Sequence, residues 1–307
     1  MKRLFIIITI TLAAVVGVKA RREPQVSKGH LDNITDFQSK YVPARTIRVW
    51  TPADYDPHKR YDVLYMHDGL ALFDAKAMWH LQEWGVDEAM DSLIRLGRIR
   101  PTIVVGIDNN EKNRAGEYCP DDIAQYLPEG KPIYKSFKPT GNAYLRFIVE
   151  ELKPYIDSAY STYPGREHTW IMGSSCGGLI SSYALCKYPN VFAGAACMST
   201  HCTLTYFDDQ VPDKDRMKAY RTYLKEHLPA NSALLYMDKG DQTVDMTYDK
   251  AQKAINHTLR ASGWDDAHFC YRYFPWKSHI ENDWRARLPE PLVFLLGNEG
   301  NLGNERK

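Results

Sequence analysis

The stretch WIMGSSCGGL, residues 170–179, decides how the rest of the chain reads. An apolar run enters a cluster of small residues, and a second run, LISSYALCKYP, leaves it and stops at Pro189. The first fits a buried strand ending at a turn, the second a helix closed by proline. Between them, Gly173-x-Ser175-x-Gly177 has the spacing of a nucleophile elbow, a sharp strand-to-helix turn with a serine at its tip. The tip needs strained backbone angles, and glycines two residues before and after it let strand and helix pass closely. The spacing selects Ser175 over Ser174 and Cys176 as nucleophile. Cys176 follows at the helix N-terminus, where its backbone N–H is a candidate donor to a developing oxyanion.

Outward from this point, strands and helices alternate. Apolar or alternating runs at 44–52, 61–69, 101–108, 191–199, 232–240 and 269–276 read as strands. Helical spacing appears at 79–97, 143–160, 249–262 and 288–297. Residues 109–140 are polar and rich in Pro, Gly and Tyr, and read as a long surface excursion. The pattern predicts an α/β fold, a mostly parallel central sheet with helices on both faces. With the elbow, this is the α/β-hydrolase fold.

In this fold the triad order is Ser…Asp/Glu…His, so the base lies in a loop after the last strand. His279, in FPWKSHIENDW, fits; His257 falls inside a predicted helix, and His201 comes too early in the chain. The acid belongs to the loop after the strand near 232–240, which offers Asp241 and Asp245; Asp238 ends the strand and faces away. Asp245 is preferred, with Asp241 the alternative. A carboxylate on His Nδ1 fixes the tautomer and stabilises the imidazolium.

The whole chain bounds these expectations. Its 307 residues give a sizeable core, and a net charge of +1 without charged blocks excludes a nucleic-acid surface. Lys2 and Arg3 precede an uncharged run from Leu4 to Val18 that Ala20 closes. That reads as a signal peptide over residues 1–20, too short to span a bilayer, where roughly 20 apolar residues are needed. The expectation is a periplasmic or secreted protein with no stable membrane association after cleavage. Residues 21–40 read as a mobile lead-in and 41–307 as a single catalytic domain. Six cysteines leave disulfides and buried thiols equally open.

RTIRVWTPADYDPHKRYDVLYMHDGLALFD, IMGSSCGGL, GDQTVD and SHIENDWRARLPEPLVFLL together resemble the esterase-D-like branch of α/β-hydrolases. That branch includes feruloyl and acetyl-xylan esterases and esterases that open siderophore lactones. The resemblance runs from about Arg45 to Leu296. It implies Ser175 as nucleophile, His279 as base and Asp245 as acid. It also implies a second oxyanion donor from the backbone just past HDG, at Leu70 or else Gly69. The activity implied is ester hydrolysis through an acyl-enzyme, with no metal or organic cofactor. Acyl esters of plant polysaccharides are the expected substrates and siderophore lactones the alternative. An acyltransferase or a non-catalytic binding protein on the same fold are the other readings.

Overall fold

The computed structural model describes residues 22–205 and 214–298. The expected signal peptide lies outside the described residues.

Eight strands form one sheet: β1 (His30–Phe37), β2 (Arg45–Thr51), β3 (Asp62–His67), β4 (Thr102–Ile107), β5 (Thr169–Ser174), β6 (Gly194–Met198), β7 (Leu234–Lys239) and β8 (Phe269–Tyr273). Their order is β1-β2-β4-β3-β5-β6-β7-β8. Strands β3 to β8 pair in parallel, and β1 and β2 add an antiparallel edge. The α-helices are α1 (Val86–Arg95), α2 (Arg114–Glu117), α3 (Gly141–Arg146), α4 (Lys153–Ala159), α5 (Cys176–Lys187), α6 (Lys214–His227), α7 (Asp249–Ala261), α8 (Glu281–Arg287) and α9 (Pro289–Leu296). The expected mostly parallel sheet covered on both faces is therefore what the chain adopts.

Side-chain alternation along the strands divides the core in two. Val63, Tyr65 and Ile171 point to one face, where Tyr144, Leu179, Tyr220 and Ile255 cover them. Leu64, Met66 and Met172 point to the other, beneath Met90, Trp284, Leu292 and Leu296. Each such fully buried large side chain contributes roughly 1.5–3 kcal/mol.

Three expectations are corrected. Residues 30–37, read as mobile, form β1, because their backbone pairs with β2 from His30↔Thr51 to Phe37↔Arg45. Alternation there is weak, since the strand is an edge with many exposed positions. The helix expected at 79–97 begins only at Val86: Gly85 takes a left-handed φ of 60°, and Leu81 is exposed. The excursion 109–140 is anchored rather than superficial, with Tyr118, Cys119 and Ile123 fully buried. All six cysteines are free thiols.

The crossing of β5 and α5 is very tight. A Cβ at Gly173 would meet the Gly177 carbonyl carbon at 2.8 Å and its Cα at 2.9 Å. Both obstacles are backbone, so neither can move aside cheaply. Gly173→Ala is therefore expected to lower stability by about 1–3 kcal/mol, the usual cost of overpacking. Urea unfolding checks this; an unchanged midpoint would contradict the close crossing.

Candidate active site

Ser175 stands between β5 and α5 with φ 57° and ψ −122°, a conformation that costs a non-glycine residue roughly 1–3 kcal/mol. The turn is held by its own backbone: Ser175 N–H donates to Met198 O at 2.9 Å, and His201 N–H donates to Ser175 O at 3.0 Å. Helix α5 is buried on nearly every side, so the tip has little freedom to relax.

His279 lies in the loop between β8 and α8. Its Nδ1 donates to Asp245 Oδ1 at 2.6 Å, and its backbone N–H donates to Thr243 Oγ1 at 2.9 Å. Asp245 is fully buried on the turn after β7. Its other oxygen, Oδ2, accepts from Ser199 Oγ and from Gly240 N–H, each at 2.6 Å. Burial pushes the Asp245 carboxyl up, but the His279, Ser199 and Gly240 hydrogen bonds outweigh it and hold the group below the usual carboxylate range. The remaining carboxylates of this region are engaged elsewhere. Asp238 pairs with Arg287 at 3.1 Å. Asp241, the alternative acid, accepts from the Tyr273 hydroxyl and Trp276 N–H at 2.7 Å each, and so ties the His279 loop to the turn.

Ser175 and His279 line one cleft of about 620 Å³, together with Leu70, Asp68, Asn109, Arg114, Trp79 and Trp284. Leu70 follows Asp68 and Gly69 at the end of β3. Asp68 has a left-handed φ of 57°, and a Cβ at Gly69 would lie 2.8 Å from Asp108 Oδ1, so glycine lets this loop press against β4. Cys176 is buried at the first position of α5.

Several residues of the site carry no signal in the sequence, because their partners are distant in the chain. Arg114 donates two 2.7 Å hydrogen bonds to Asp68, and Asn109 Nδ2 donates a third at 2.6 Å. Burial raises the Asp68 carboxyl, yet Arg114 and Asn109 outweigh it and hold the group below its ordinary value. Ser199 Oγ accepts from Arg287 Nη2 at 2.6 Å and Trp284 Nε1 at 3.1 Å while donating to Asp245. Tyr248 shares the turn of Asp245; its hydroxyl hydrogen-bonds His201 Nδ1 at 2.9 Å and faces the Ser175 hydroxyl. Among the described residues, no group of three or more His, Cys, Asp and Glu side chains is arranged to hold a metal ion.

Two buried histidines beside the elbow are neutral. Burial lowers His67 to about 3, and burial with the neighbouring His279 lowers His201 to about 4. A lowered histidine stays unprotonated in the folded chain, while the unfolded chain takes up its proton below about pH 6.5. Stability due to these groups is therefore fully present above pH 6.5 and is lost as pH falls towards their folded values. The slope is about 1.4 kcal/mol per pH unit for each histidine. His67→Gln is expected to flatten the rise of unfolding free energy between pH 4.5 and 6.5 by that amount. Urea titrations at several pH values read the slope whatever the absolute stability of the variant, and a parallel slope would contradict a neutral His67.

Comparison with known proteins agrees with this architecture. Residues 42–295 match the family described as "Putative esterase". A Bacillus subtilis relative, uncharacterized protein YjcH, is 26% identical over 166 residues, a match spanning 54% of this chain and 59% of that one. The CE1 ferulic acid esterase of Anaeromyces mucronatus shares the fold at a TM-score of 0.64 and 18% identity, over 91% of this chain and 95% of that one. The enterochelin esterase of Shigella flexneri does so at 0.62 and 18%, over 89% of this chain and 59% of that one.

Proposed function

The chain belongs to the Esterase family, and from that premise we propose that it hydrolyses carboxylic esters through a Ser175–His279–Asp245 triad. The observation that carries this is the buried 2.6 Å pair of Asp245 and His279 in the same cleft as a serine on a strained elbow. In the proposed reaction Ser175 Oγ attacks the ester carbonyl carbon and passes its proton to His279 Nε2. The N–H groups of Leu70 and Cys176 stabilise the tetrahedral oxyanion; a donor of this kind is worth roughly 3 kcal/mol of barrier. The carbon–oxygen bond to the alcohol breaks, the alcohol leaves with the proton from His279, and the acyl group stays on Ser175. Water then attacks the acyl-serine with His279 as base, and the acid is released. Asp245 stays ionised throughout and holds the imidazole in the tautomer that leaves Nε2 free to accept.

Acyl esters of plant polysaccharides, feruloyl or acetyl, are the substrates this reading favours, in the periplasm or outside the cell. Support comes from the resemblance to exported carbohydrate esterases and the apolar N-terminal run. Siderophore lactones are the second reading, since an enterochelin esterase shares the fold to the same degree. Four carboxylates in the cleft wall, Asp68, Asp108, Glu111 and Glu281, against one arginine, Arg114, weigh against so anionic a substrate. Among the described residues, no helix is long and apolar enough to cross a membrane.

Hydrolysis of p-nitrophenyl acetate tests the triad. Ser175→Ala is expected to fall to background, and a rate equal to the unmodified chain would sink the reading. Asp245→Asn is expected to lower kcat about 10⁴-fold by favouring the wrong tautomer, whereas Asp241→Asn keeps near-normal turnover. Cys176→Ala also keeps activity, because the role assigned to that residue is its main-chain N–H. If sugar alcohols outcompete water for the acyl group, the enzyme is a transferase instead.

A further inference from the structure

The cleft has two chemically different arms, and the triad reading above fixes which half of an ester each one meets. His279 must protonate the leaving oxygen, so the alcohol lies on its side of Ser175. With the oxyanion turned to Leu70 and Cys176, the acyl group extends the other way. Sheet order separates these directions. Strands β3 and β4, which lead to Asp68 and Asn109, flank β5 on one side, while β7 and β8, which lead to Asp245 and His279, lie on the other.

On the His279 side the cleft is backed by buried indoles and rimmed by an exposed one. The His279 ring meets Trp284 edge-on at 5.0 Å, and Trp284 lies 5.4 Å from Trp84. Further out, Trp79 is 84% exposed and lines the cleft beside His80, whose Nε2 is 3.6 Å from Glu281. A large indole left in water at the rim of a cleft is costly unless something covers it in use. The opposite arm is polar: Asp68, Arg114 and Asn109 are locked together by three short hydrogen bonds.

We propose that the alcohol half of the substrate lies along the tryptophan arm, with Trp79 stacked on the C–H face of a sugar ring. The acyl half enters the Asp68–Asn109–Arg114 arm. The exposed Trp79 indole offers a flat apolar face and Glu281 an acceptor for ring hydroxyls, which together suit a polyhydroxylated ring. The polar arm offers fixed donors and acceptors to an uncharged, hydroxyl-bearing acyl group. Trp79 is thus a specificity residue for the alcohol and Asn109 for the acyl group.

The test uses three esters: the methyl ester of a hydroxycinnamic acid, the arabinose ester of the same acid, and the methyl ester of unsubstituted cinnamic acid. The ratio of kcat/KM for the first two reports the alcohol, and the ratio for the first and third reports the acyl group. Trp79→Ala is expected to cut the preference for the sugar ester roughly tenfold while leaving the acyl ratio as it was. Asn109→Ala is expected to cut the preference for the hydroxylated acyl group roughly tenfold and to spare the alcohol ratio. Partial loss of folded protein scales all three rates alike and moves neither ratio. Crossed effects, or both ratios moving together in either variant, overturn this division of the cleft. If the unmodified chain hydrolyses p-nitrophenyl acetate but none of the three, the division of the cleft is overturned; if it hydrolyses none of the four, the hydrolytic reading on which it rests falls as well.

Discussion

The site depends on how closely β5 and α5 cross. With no side chain at Gly173 or Gly177, the strand runs straight into the helix, and Ser175 has to take φ 57° at the join. A left-handed residue after a strand recurs along the same edge of the sheet. Asp68 follows β3, Ser199 follows β6, Thr243 lies in the loop after β7, and Trp276 in the loop after β8, all with positive φ. Each is strained on its own. The sheet and the two layers of helices hold them, and together they turn the carboxyl ends of the parallel strands inward around one cleft, where ligands of open α/β sheets bind.

A second constraint is electrostatic. Asp245 is buried as a carboxylate, which is costly unless its oxygens are fully paired. His279, Ser199 and Gly240 meet that need. Ser199 is in turn held by Arg287 and Trp284 from α8, and Arg287 is neutralised by Asp238 at the end of β7. The helix that follows the histidine loop therefore also orients Asp245. This explains why two neighbouring carboxylates have such different parts: Asp238 supports the network from beneath, and Asp241 shapes the loop from outside.

Much of this was readable in the sequence, for local reasons. The elbow, the strand–helix alternation and the order of serine, acid and histidine are patterns of neighbouring residues or of chain order. The place of Cys176 beside the elbow made its N–H a candidate donor, whereas Leu70, or else Gly69, came only through the family resemblance, from its place just past HDG. What escaped depends on pairing between distant segments. Strand β1 is defined by its hydrogen bonds to β2 more than by its own pattern, and α6, a polar helix, drew no signal. Residues 79–85 have helical spacing, but packing against α8 and a left-handed Gly85 keep them out of α1. Arg114 with Asp68, and Tyr248 with His201, join residues 46 and 47 positions apart. No local motif announces such contacts.

The central claim is that Ser175, and not its neighbours Ser174 or Cys176, carries the acyl group. A diethyl p-nitrophenyl phosphate probe followed by peptide mass spectrometry addresses it directly, since an activated serine displaces nitrophenolate and keeps the diethyl phosphoryl group. The account predicts a single adduct per chain, on Ser175, with loss of ester hydrolysis in proportion to labelling. An adduct on Cys176, or full activity in a chain labelled elsewhere, would contradict it.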